Sequence, residues 1–410
     1  MVIGNTKKLA KVISGNTKAT GDLQANINSN EDNSPLGLSY TDAIRLEATL
    51  VVTKKVLDDN ALAFDRGVSQ TPLDWNETQP DGDVNRSWRT SSMSSDGQTI
   101  IVGFANGRLH LSTNGGSTWT ETQPAGDVNR NWVTSAMSSD GQTIIVGALN
   151  NRLYLSTNGG TTWSETQPAG NVDRNWFTSS MSSDGQTVIA GAFNNRLYLS
   201  TNGGTSWSET QPAGDVDRFW ITSSMSSDGQ TIIVGTFTTR LYLSTDGGSS
   251  WSEPQPAGNV DRFWRTSAMS SDGQTIVVGA NGRLYLSTNG GTSWTETQPA
   301  GDINRNWFIS SMSSDGQTVI VGVGDTNNSR LYLSTNGGTT WSETQPAGDV
   351  DRFWQTSSMS NDGQTIIVGA NGRLYLSTYD KILRMFDNNN KNFDVGYDPS
   401  QDEILVNTGF

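Results

Sequence analysis

Residues 156–163 read Ser-Thr-Asn-Gly-Gly-Thr-Thr-Trp, and this pattern, with small Ser/Thr and Asn/Asp exchanges, occurs six times along the chain. The other copies lie at 112–119, 200–207, 244–251, 287–294 and 334–341. Asn, Asp and Gly tolerate the positive φ angles that tight turns require. The six copies therefore predict six similar hairpins in a repeated structural unit.

The tryptophans give the length of that unit. All 14 fall into two series with one period. The first series is Trp75, Trp119, Trp163, Trp207, Trp251, Trp294 and Trp341, and the second is Trp88, Trp132, Trp176, Trp220, Trp264, Trp307 and Trp354. Most steps are 44 residues, with one of 43 and one of 47. A period in the forties that contains four short strand-like runs is typical of propeller blades. Seven units predict seven blades.

Turn residues divide each unit into four strand candidates. In one unit these are 134–138, 143–147, 152–157 and the run that starts at Trp163. The run 74–80 precedes the first complete unit, and the last unit stops after its third strand. Because an open sheet edge is a liability, we expect 74–80 to supply the missing outer strand. The predicted fold is all-β: a seven-bladed β-propeller of four-stranded antiparallel blades, closed by an N-terminal outer strand.

The predicted domain boundaries follow from the repeat. Residues 74–378 form the propeller, 1–73 an N-terminal anchoring segment, and 379–410 a C-terminal extension. The ends are too short for independent cores, so we expect them to pack on each other or on a partner. Strand candidates occur at 382–386 and 403–406, whereas 40–57 fits either a strand or a helix.

The repeated turn resembles the Asp-box, or BNR, motif of sialidases, sortilin-like receptors and photosystem-assembly propellers. The repeat array that contains the six matches covers roughly three quarters of the chain, and Asn stands at the Asp position in all matches but one. The motif position is held by Asn114, Asn158, Asn202, Asp246, Asn289 and Asn336. Its side chain is expected to cap N–H groups of its own hairpin, so we interpret the motif as a folding device without catalytic meaning.

The composition argues against an enzyme. The chain has no cysteine and a single histidine, His110, which nearly excludes thiolate and histidine chemistry and most metal sites. A sialidase-like site would need a tyrosine, an arginine cluster and carboxylates at unique positions, but here one arginine position repeats in all seven units and one tyrosine position in six. We predict no catalytic residue, metal or cofactor. The run from Asp81 to Asn85 is similar to the start of a calcium loop, but other units have Ala at its first position.

A ligand is expected on the propeller face that carries the loops between second and third strands and those between blades. The unit lengths differ only in the first of these loops, and the second contains Arg-x-Trp with a varying middle residue. The candidate ligand-binding residues are Arg86, Trp88, Arg130, Trp132, Arg174, Trp176, Arg218, Trp220, Arg262, Trp264, Arg305, Trp307, Arg352 and Trp354. Two interpretations stay open: the rings stack on sugars, or they wedge between blades while each arginine pairs with a carboxylate.

Charge and hydropathy limit the partners. The formal net charge is −14, and all eight lysines lie outside the repeats. This balance opposes nucleic acid, and no apolar run is long enough to cross a membrane or act as a secretory signal. We expect a virion-surface location if the protein is viral, and a cytoplasmic one otherwise.

These observations favour a non-enzymatic binding protein. The first hypothesis is a virion or phage adhesin, a fibre or decoration protein that recognises a host glycan or receptor and is anchored to a larger assembly through 1–73 and 379–410. The second is an intracellular docking scaffold or assembly factor, and the third is a sialidase-like glycosidase.

Overall fold

The structure is a computed structural model that describes residues 74–324 and 329–378, together with the backbone of four strands near the chain ends. The chain divides into two compact units. One contains Met1–Thr71 and Asp380–Phe410, and the other is Pro72–Tyr379. No helix in the described residues is long and apolar enough to span a membrane. The run 40–57, predicted as strand or helix, lies outside the described residues.

The propeller is built from strands β2 to β28, which follow β1 (Val2–Ile3). They are β2 (Trp75–Thr78), β3 (Arg86–Met93), β4 (Ile100–Phe104), β5 (Leu109–Ser112), β6 (Thr120–Thr122), β7 (Trp132–Met137), β8 (Ile144–Ala148), β9 (Leu153–Ser156), β10 (Ser164–Thr166), β11 (Trp176–Met181), β12 (Val188–Ala192), β13 (Leu197–Ser200) and β14 (Ser208–Thr210). The second half contains β15 (Trp220–Met225), β16 (Ile232–Thr236), β17 (Leu241–Ser244), β18 (Trp264–Met269), β19 (Ile276–Gly282), β20 (Leu284–Ser287), β21 (Thr295–Thr297), β22 (Arg305–Met312), β23 (Val319–Val323), β24 (Leu331–Ser334), β25 (Ser342–Thr344), β26 (Trp354–Met359), β27 (Thr365–Gly372) and β28 (Leu374–Thr378).

The smaller unit contains one antiparallel sheet in the order β1, β31, β30, β29. Its other strands are β29 (Leu383–Phe386), β30 (Asn392–Asp398) and β31 (Glu403–Thr408). Strands therefore occur at both places where the tail sequence predicts them.

Each repeat forms one antiparallel blade, as the sequence predicts. The second and third strands of a blade are almost wholly buried, and the fourth is largely exposed. The fourth blade differs because Pro254 replaces the threonine found there in the other units. Proline offers no backbone N–H, and this blade has three strands plus an isolated bridge between Leu243 and Ser252.

The Asp-box turn is held by local hydrogen bonds. Asn158 Oδ1 accepts the N–H of Thr162 at 2.9 Å, and its amide donates to Thr162 Oγ1 at 2.8 Å. The hydroxyl of Ser156 accepts the N–H of Gly160 at 2.8 Å. The indole N–H of Trp163 reaches Thr122, on the outer strand of the preceding blade, at 2.7 Å. The turn thus shapes its own hairpin and also joins neighbouring blades.

The core lies between blades. Trp132 packs with Ile101 and Leu109 of the preceding blade and with Ile144 and Val146 of its own. Glycine at the end of each second strand makes this close approach feasible: a Cβ on Gly147 would lie 2.8 Å from the Cβ of the next blade's tryptophan. At six of the seven interfaces a glycine of one blade therefore lies directly against the tryptophan of the next.

The ring closes through the N-terminal strand. β2 pairs antiparallel with β28, the third strand of the last blade, and Trp75 donates its indole N–H to Thr344 of the sixth blade at 2.7 Å. The predicted closure is confirmed. The seven inner strands β3, β7, β11, β15, β18, β22 and β26 contact one another in a closed cycle.

Candidate binding face of the propeller

Two kinds of loop form what we call the top face: those between second and third strands, and those that lead into the next blade. They are hydrogen-bonded across the blade boundary. Gly107, in the first kind of loop, and Arg130, in the second, exchange backbone hydrogen bonds of 2.9 Å in both directions. Equivalent bridges join Asn151 to Arg174 and Asn195 to Arg218. The loops of the top face are therefore joined to one another across the blade boundaries.

The tryptophans of the Arg-x-Trp motif lie beneath this platform. Their exposed fractions are 1–2% in all seven units. Trp132 and Trp176 donate their indole N–H groups to the carbonyls of Gly107 and Asn151, in the preceding blade. These rings have no face open to solvent, so they lie as wedges between blades. A sugar could stack on them only if the rings became exposed.

The arginines of the same motif occupy two kinds of environment. Arg86 contacts Asp81 at 2.5 Å, as the pairing interpretation expects. The other units have alanine in place of Asp81, and there the arginine Nε is buried without a hydrogen-bond partner. This group contains Arg130, Arg174, Arg218, Arg262, Arg305 and Arg352. The expected pairing with a carboxylate is thus absent from these six because the nearby acids have other partners.

Those partners form a second arginine series, which sequence analysis did not single out. It precedes each third strand and contains Arg108, Arg152, Arg196, Arg240, Arg283, Arg330 and Arg373. Arg196 contacts Glu209 at 3.7 Å, Asp215 at 2.8 Å and Asp217 at 3.1 Å. The sequence signal for this network was an arginine directly before each third strand together with a glutamate in the run that follows each Asp-box tryptophan.

Burial of the neighbouring tyrosines shows how closed this layer is. Burial raises the pKa of Tyr154, and the charge of Arg130 opposes that rise. Burial likewise raises the pKa of Tyr198, with Arg174 opposing it. Trp132 and Tyr154 meet edge to face with ring centroids 6.0 Å apart. In the six units that contain the tyrosine, it packs against the buried tryptophan, with the half-buried arginine beside it.

The residue after each buried tryptophan lies in a β-bulge. In every inner strand the pairing register shifts between the tryptophan and the residue two positions later. The residues at the shift are Arg89, Val133, Phe177, Ile221, Arg265, Phe308 and Gln355. A bulge commonly re-aims a side chain near a functional site, and here it holds the most varied position of the inner strand.

These bulge residues and the aromatic residues around them form what we call the collar, at the top end of the inner strands. Phe193 stacks on Phe219 of the next blade with ring centroids 4.2 Å apart, and Phe237 stacks on Phe263 at 4.8 Å. The guanidinium of Arg265 lies 5.0 Å from the Phe237 ring. The remaining collar phenylalanines are Phe177, Phe308 and Phe353.

The collar is asymmetric. Between the third and fifth blades it is mainly aromatic, with two stacked phenylalanine pairs and the Arg265 guanidinium beside one of them, and Phe263 is 38% exposed. Where the last blade meets the first, it is polar: the hydroxyl of Ser87 donates to Gln355 at 3.1 Å, and Arg89 is exposed. The collar is therefore a surface on which the otherwise similar blades differ from one another.

The first unit also carries a cluster that no other unit has. His110 stands where six units have tyrosine, and Phe104 lies beside it with ring centroids 6.0 Å apart. His110 Nε2 is 3.7 Å from Asp81 and has no hydrogen-bond partner. Burial lowers the pKa of His110, while the charges of Asp81 and Glu121 oppose that change and Arg86 reinforces it.

Metal ligation finds little support in the part of the chain that the structure describes. No three His, Asp or Glu side chains there come together as a ligand set. Within the calcium-like run, Asp81 contacts Arg86 and Asp83 contacts Arg373 at 2.6 Å. Guanidinium groups therefore take the carboxylates that a cation would need.

Comparison with known proteins supports the propeller. A family model described as Sortilin, neurotensin receptor 3 matches residues 239–396, less than half of the chain. No curated protein matches the chain in sequence. The chain shares the β-propeller fold with several solved proteins.

Three solved structures illustrate the similarity. YCF48 bound to D1 peptide has 15% identity and a TM-score of 0.57, with 78% of this chain and all of that one covered. YCF48 from Cyanidioschyzon merolae has 16% identity and a TM-score of 0.57, with 74% and 98% covered. The GH74 enzyme from Niastella koreensis has 16% identity and a TM-score of 0.60, with 82% of this chain but 60% of the enzyme covered. At these identities the similarity concerns the fold alone.

Proposed function

We propose that the protein is a non-enzymatic binding protein that docks a protein partner on the collar of its top face. One observation carries the proposal: the seven nearly identical units differ at the bulge residues, and beside these residues phenylalanine side chains of neighbouring blades stack in pairs. Aromatic residues and arginine are enriched at protein interfaces, and clustered aromatic side chains supply much of the binding energy.

A protein ligand fits the collar better than a glycan. The tryptophans that would stack on sugars are buried, whereas the accessible aromatic surface consists of phenylalanine, which offers no hydrogen-bonding group. One solved structure of this fold is bound to a peptide. The docking-scaffold hypothesis therefore has the stronger support. The second proposal is a virion or phage adhesin. It differs from the first in its ligand, which would be a host glycan or receptor.

The absence of catalysis is part of the proposal. A glycosidase needs one carboxyl whose raised pKa lets it act as an acid. The carboxyl pKa shifts in the described residues are downward, at turn residues such as Asp140 and Asp184, where serine hydroxyls donate hydrogen bonds. The acids of the top face contact repeated arginines. The GH74 neighbour makes a direct assay necessary.

Site-specific photo-cross-linking tests the docking face. A photoreactive phenylalanine analogue replaces Phe263 in the collar, and a matched variant carries it at Thr245, an exposed Asp-box residue of the fourth blade. Both proteins are irradiated in their native source, and the adducts are identified by mass spectrometry. We expect one protein to cross-link reproducibly at position 263 and not at 245. Equal labelling at both positions would remove the support for a docking face.

Two further assays separate the alternatives. A glycan array with the unmodified chain tests the adhesin, since specific glycan binding without a cross-linked protein would favour that proposal. A panel of fluorogenic glycosides, including a sialoside and a glucan-derived substrate, tests catalysis. Turnover abolished by substitution of a top-face carboxylate would overturn the non-enzymatic assignment.

A further inference from the structure

Three residues that are unique to the first unit meet at one place near the top face. Asp81 replaces the alanine of the other units, His110 replaces their tyrosine, and Phe104 replaces their Ala, Thr or Val. Asp81 Oδ2 contacts Arg86 Nε at 2.5 Å, and Asp81 Oδ1 is 3.7 Å from His110 Nε2. The Phe104 ring centroid is 6.0 Å from that of the imidazole and 5.0 Å from the Arg86 guanidinium. One carboxylate therefore lies beside both a guanidinium and an imidazole.

The His110 imidazole lacks the hydrogen bond that tyrosine makes at this position in the second unit. There the hydroxyl of Tyr154 donates to Asn151 Oδ1 at 2.8 Å. In the first unit Gly107 takes the place of Asn151, and a Cβ on it would lie 1.7 Å from the Phe104 ring. His110 is 4% exposed, and its Nε2 has no hydrogen-bond partner. Buried polar atoms normally have a partner, so this nitrogen beside a carboxylate points to a second state in which the two are bonded.

Exposure decides which of the two side chains needs the carboxylate more. The side chain of Arg86 is 39% exposed, that of Asp81 23% and that of His110 5%. At such exposure a guanidinium can exchange its ion pair for water, whereas a protonated imidazole has no access to water and needs a counterion. In six other units the equivalent arginine has no carboxylate partner, so the fold tolerates an unpaired arginine there. A charged His110 therefore depends on Asp81 more than Arg86 does.

The other charged groups around the imidazole leave Asp81 as its counterion. Glu121 lies opposite His110 on β6, but Arg108 holds it at 3.8 Å. Burial lowers the pKa of His110, the charges of Asp81 and Glu121 oppose that change, and the charge of Arg86 reinforces it. Protonation therefore falls in mild acid, below the usual value of 6.5.

We propose that protonation of His110 moves Asp81 from Arg86 to His110 and so releases the Arg86 side chain on the top face. A proton from the solvent binds His110 Nε2, and the new N–H donates to Asp81 Oδ1 once the 3.7 Å separation closes by about 1 Å. The imidazolium repels the guanidinium, which turns toward water. Such a device needs no bound partner, so it goes beyond the docking of a protein on the collar.

The released arginine lies where the last blade meets the first. Gly372 pairs with Arg86, and Asn371 pairs with Ser87, in the two residue pairs that join these blades on the top face. Release adds a free positive charge beside the polar part of the collar. The aromatic part between the third and fifth blades contains no histidine and stays as it is. The top face is therefore sensitive to mild acid in one sector.

Nuclear magnetic resonance of the full chain tests this directly, because His110 is its single histidine. Histidine and arginine are labelled with ¹³C and ¹⁵N, and the guanidinium signals of Arg86 are assigned with the variant Arg86→Lys. Between about pH 7.5 and pH 4.5 we expect the Arg86 signals to shift with the same midpoint as the His110 imidazole. The signals of Arg130, which has Ala125 in place of the aspartate, should stay constant. Constant Arg86 signals during the titration of His110, or an imidazole that stays neutral throughout, would overturn the proposal.

Variants assign the response to its two partners. Asp81→Asn removes the counterion, so the midpoint of His110 should fall by at least about half a pH unit and Arg86 should stop responding. His110→Gln cannot take up the proton and should leave the Arg86 signals independent of pH. A pH response of Arg86 that persists in His110→Gln would contradict the mechanism. The triple variant Asp81→Ala, Phe104→Ala and His110→Tyr restores the pattern of the other units and, with a melting temperature near the parent's, serves as the folded, unresponsive control.

Transfer of the cluster to the second unit is the complementary test. Ala125→Asp, Ala148→Phe, Asn151→Gly and Tyr154→His together should make the Arg130 signals respond to pH, whereas Tyr154→His alone should not. A transferred cluster that folds and leaves Arg130 unresponsive would refute the mechanism, and if it does not fold, the titration of the natural chain decides. Cross-linking on the collar uses other residues, so failure here is distinguishable from failure of the proposed function.

Discussion

The backbone N–H of Asn361 in the last blade donates to the carbonyl of Ser95 in the first, with N and O 2.9 Å apart. Equivalent bonds of 2.7–2.9 Å join the six other pairs of neighbouring blades. The first of these runs from the N–H of Ser95 to the carbonyl of Ser139, and the last from the N–H of Ser314 to the carbonyl of Asn361. Seven bonds therefore run head to tail around the bottom of the central channel. Because the N-terminal outer strand pairs with the last blade, we expect this ring of bonds to depend on that strand.

Loss of that strand should weaken the whole ring. Replacing residues 74–80 by a Gly-Ser linker of equal length removes the partner of β28 and the Trp75 hydrogen bond to Thr344. We expect a lower melting temperature and faster amide exchange at Asn361 and Ser95, measured by hydrogen–deuterium exchange. A variant with the parent's melting temperature would show that closure does not depend on this strand.

The fourth blade offers a site for stabilisation. Pro254 occupies the position that Thr210 has in the preceding unit. Thr210 accepts the indole N–H of Trp251, in the next blade, at 2.9 Å. Pro254 offers no such acceptor to Trp294, whose indole N–H donates to the carbonyl of Gly291 in its own turn. We expect Pro254→Thr to add about 1 kcal/mol by supplying a hydrogen-bonding hydroxyl and a backbone donor. Thermal unfolding measures the gain. Thr210→Val is the matched control and should lower the melting temperature, because it removes the acceptor of the Trp251 indole N–H. A change of the melting temperature in the same direction in both variants would contradict this prediction.

His110 should make the first unit sensitive to mild acid. Burial lowers the folded-state pKa below the unfolded value of about 6.5, so the folded protein resists protonation. The neutral His110 side chain therefore contributes its full stabilisation above the pKa of the unfolded state. This contribution is lost as the pH falls toward the lower pKa of the folded state. His110→Tyr, which installs the residue of the other units, should remove this loss between about pH 7 and pH 5. Parallel unfolding curves for both proteins across this range would refute the prediction.

Asp246 should respond only to stronger acid. Hydrogen bonds from the side chain and N–H of Ser250 and from Ser244 lower the pKa of this carboxyl to about 2. Its contribution is present above the unfolded pKa of about 3.9 and disappears as the pH falls toward 2. Asp246→Asn, the residue of the five other boxes, should differ from the parent in melting temperature at pH 5 and differ less at pH 2. A difference independent of pH would argue against this ionic contribution.

Much of this architecture could be predicted from the sequence because the repeat is regular. The spacing of Trp119 and Trp163 gave the blade, and the unmatched run at 74–80 gave the closure. The position of Trp176 stayed open, because a tryptophan beside arginine fits both a sugar site and a buried wedge. The structure buries Trp176, and burial depends on how blades pack, which the sequence does not display.

The candidate binding face was less predictable. The varied residue before each tryptophan was recognised, but the bulge that holds Phe177 arises from strand pairing, which the sequence does not display. Phe193 and Phe219 stack although they belong to different units. The sequence does not show which arginine pairs with Asp173, and in the structure Arg152, rather than the adjacent Arg174, contacts this carboxylate at 3.0 Å.

The most direct test of the central claim is the affinity of the cross-linked partner for two variants of the purified chain. One carries Phe219→Ser and Phe263→Ser in the collar, and the other carries Thr201→Ala and Thr245→Ala on the Asp-box turns of the same two blades. The account predicts at least about ten-fold weaker binding for the collar variant, since buried aromatic contacts dominate such interfaces, and unchanged binding for the control. Equal affinities in the two variants would contradict it.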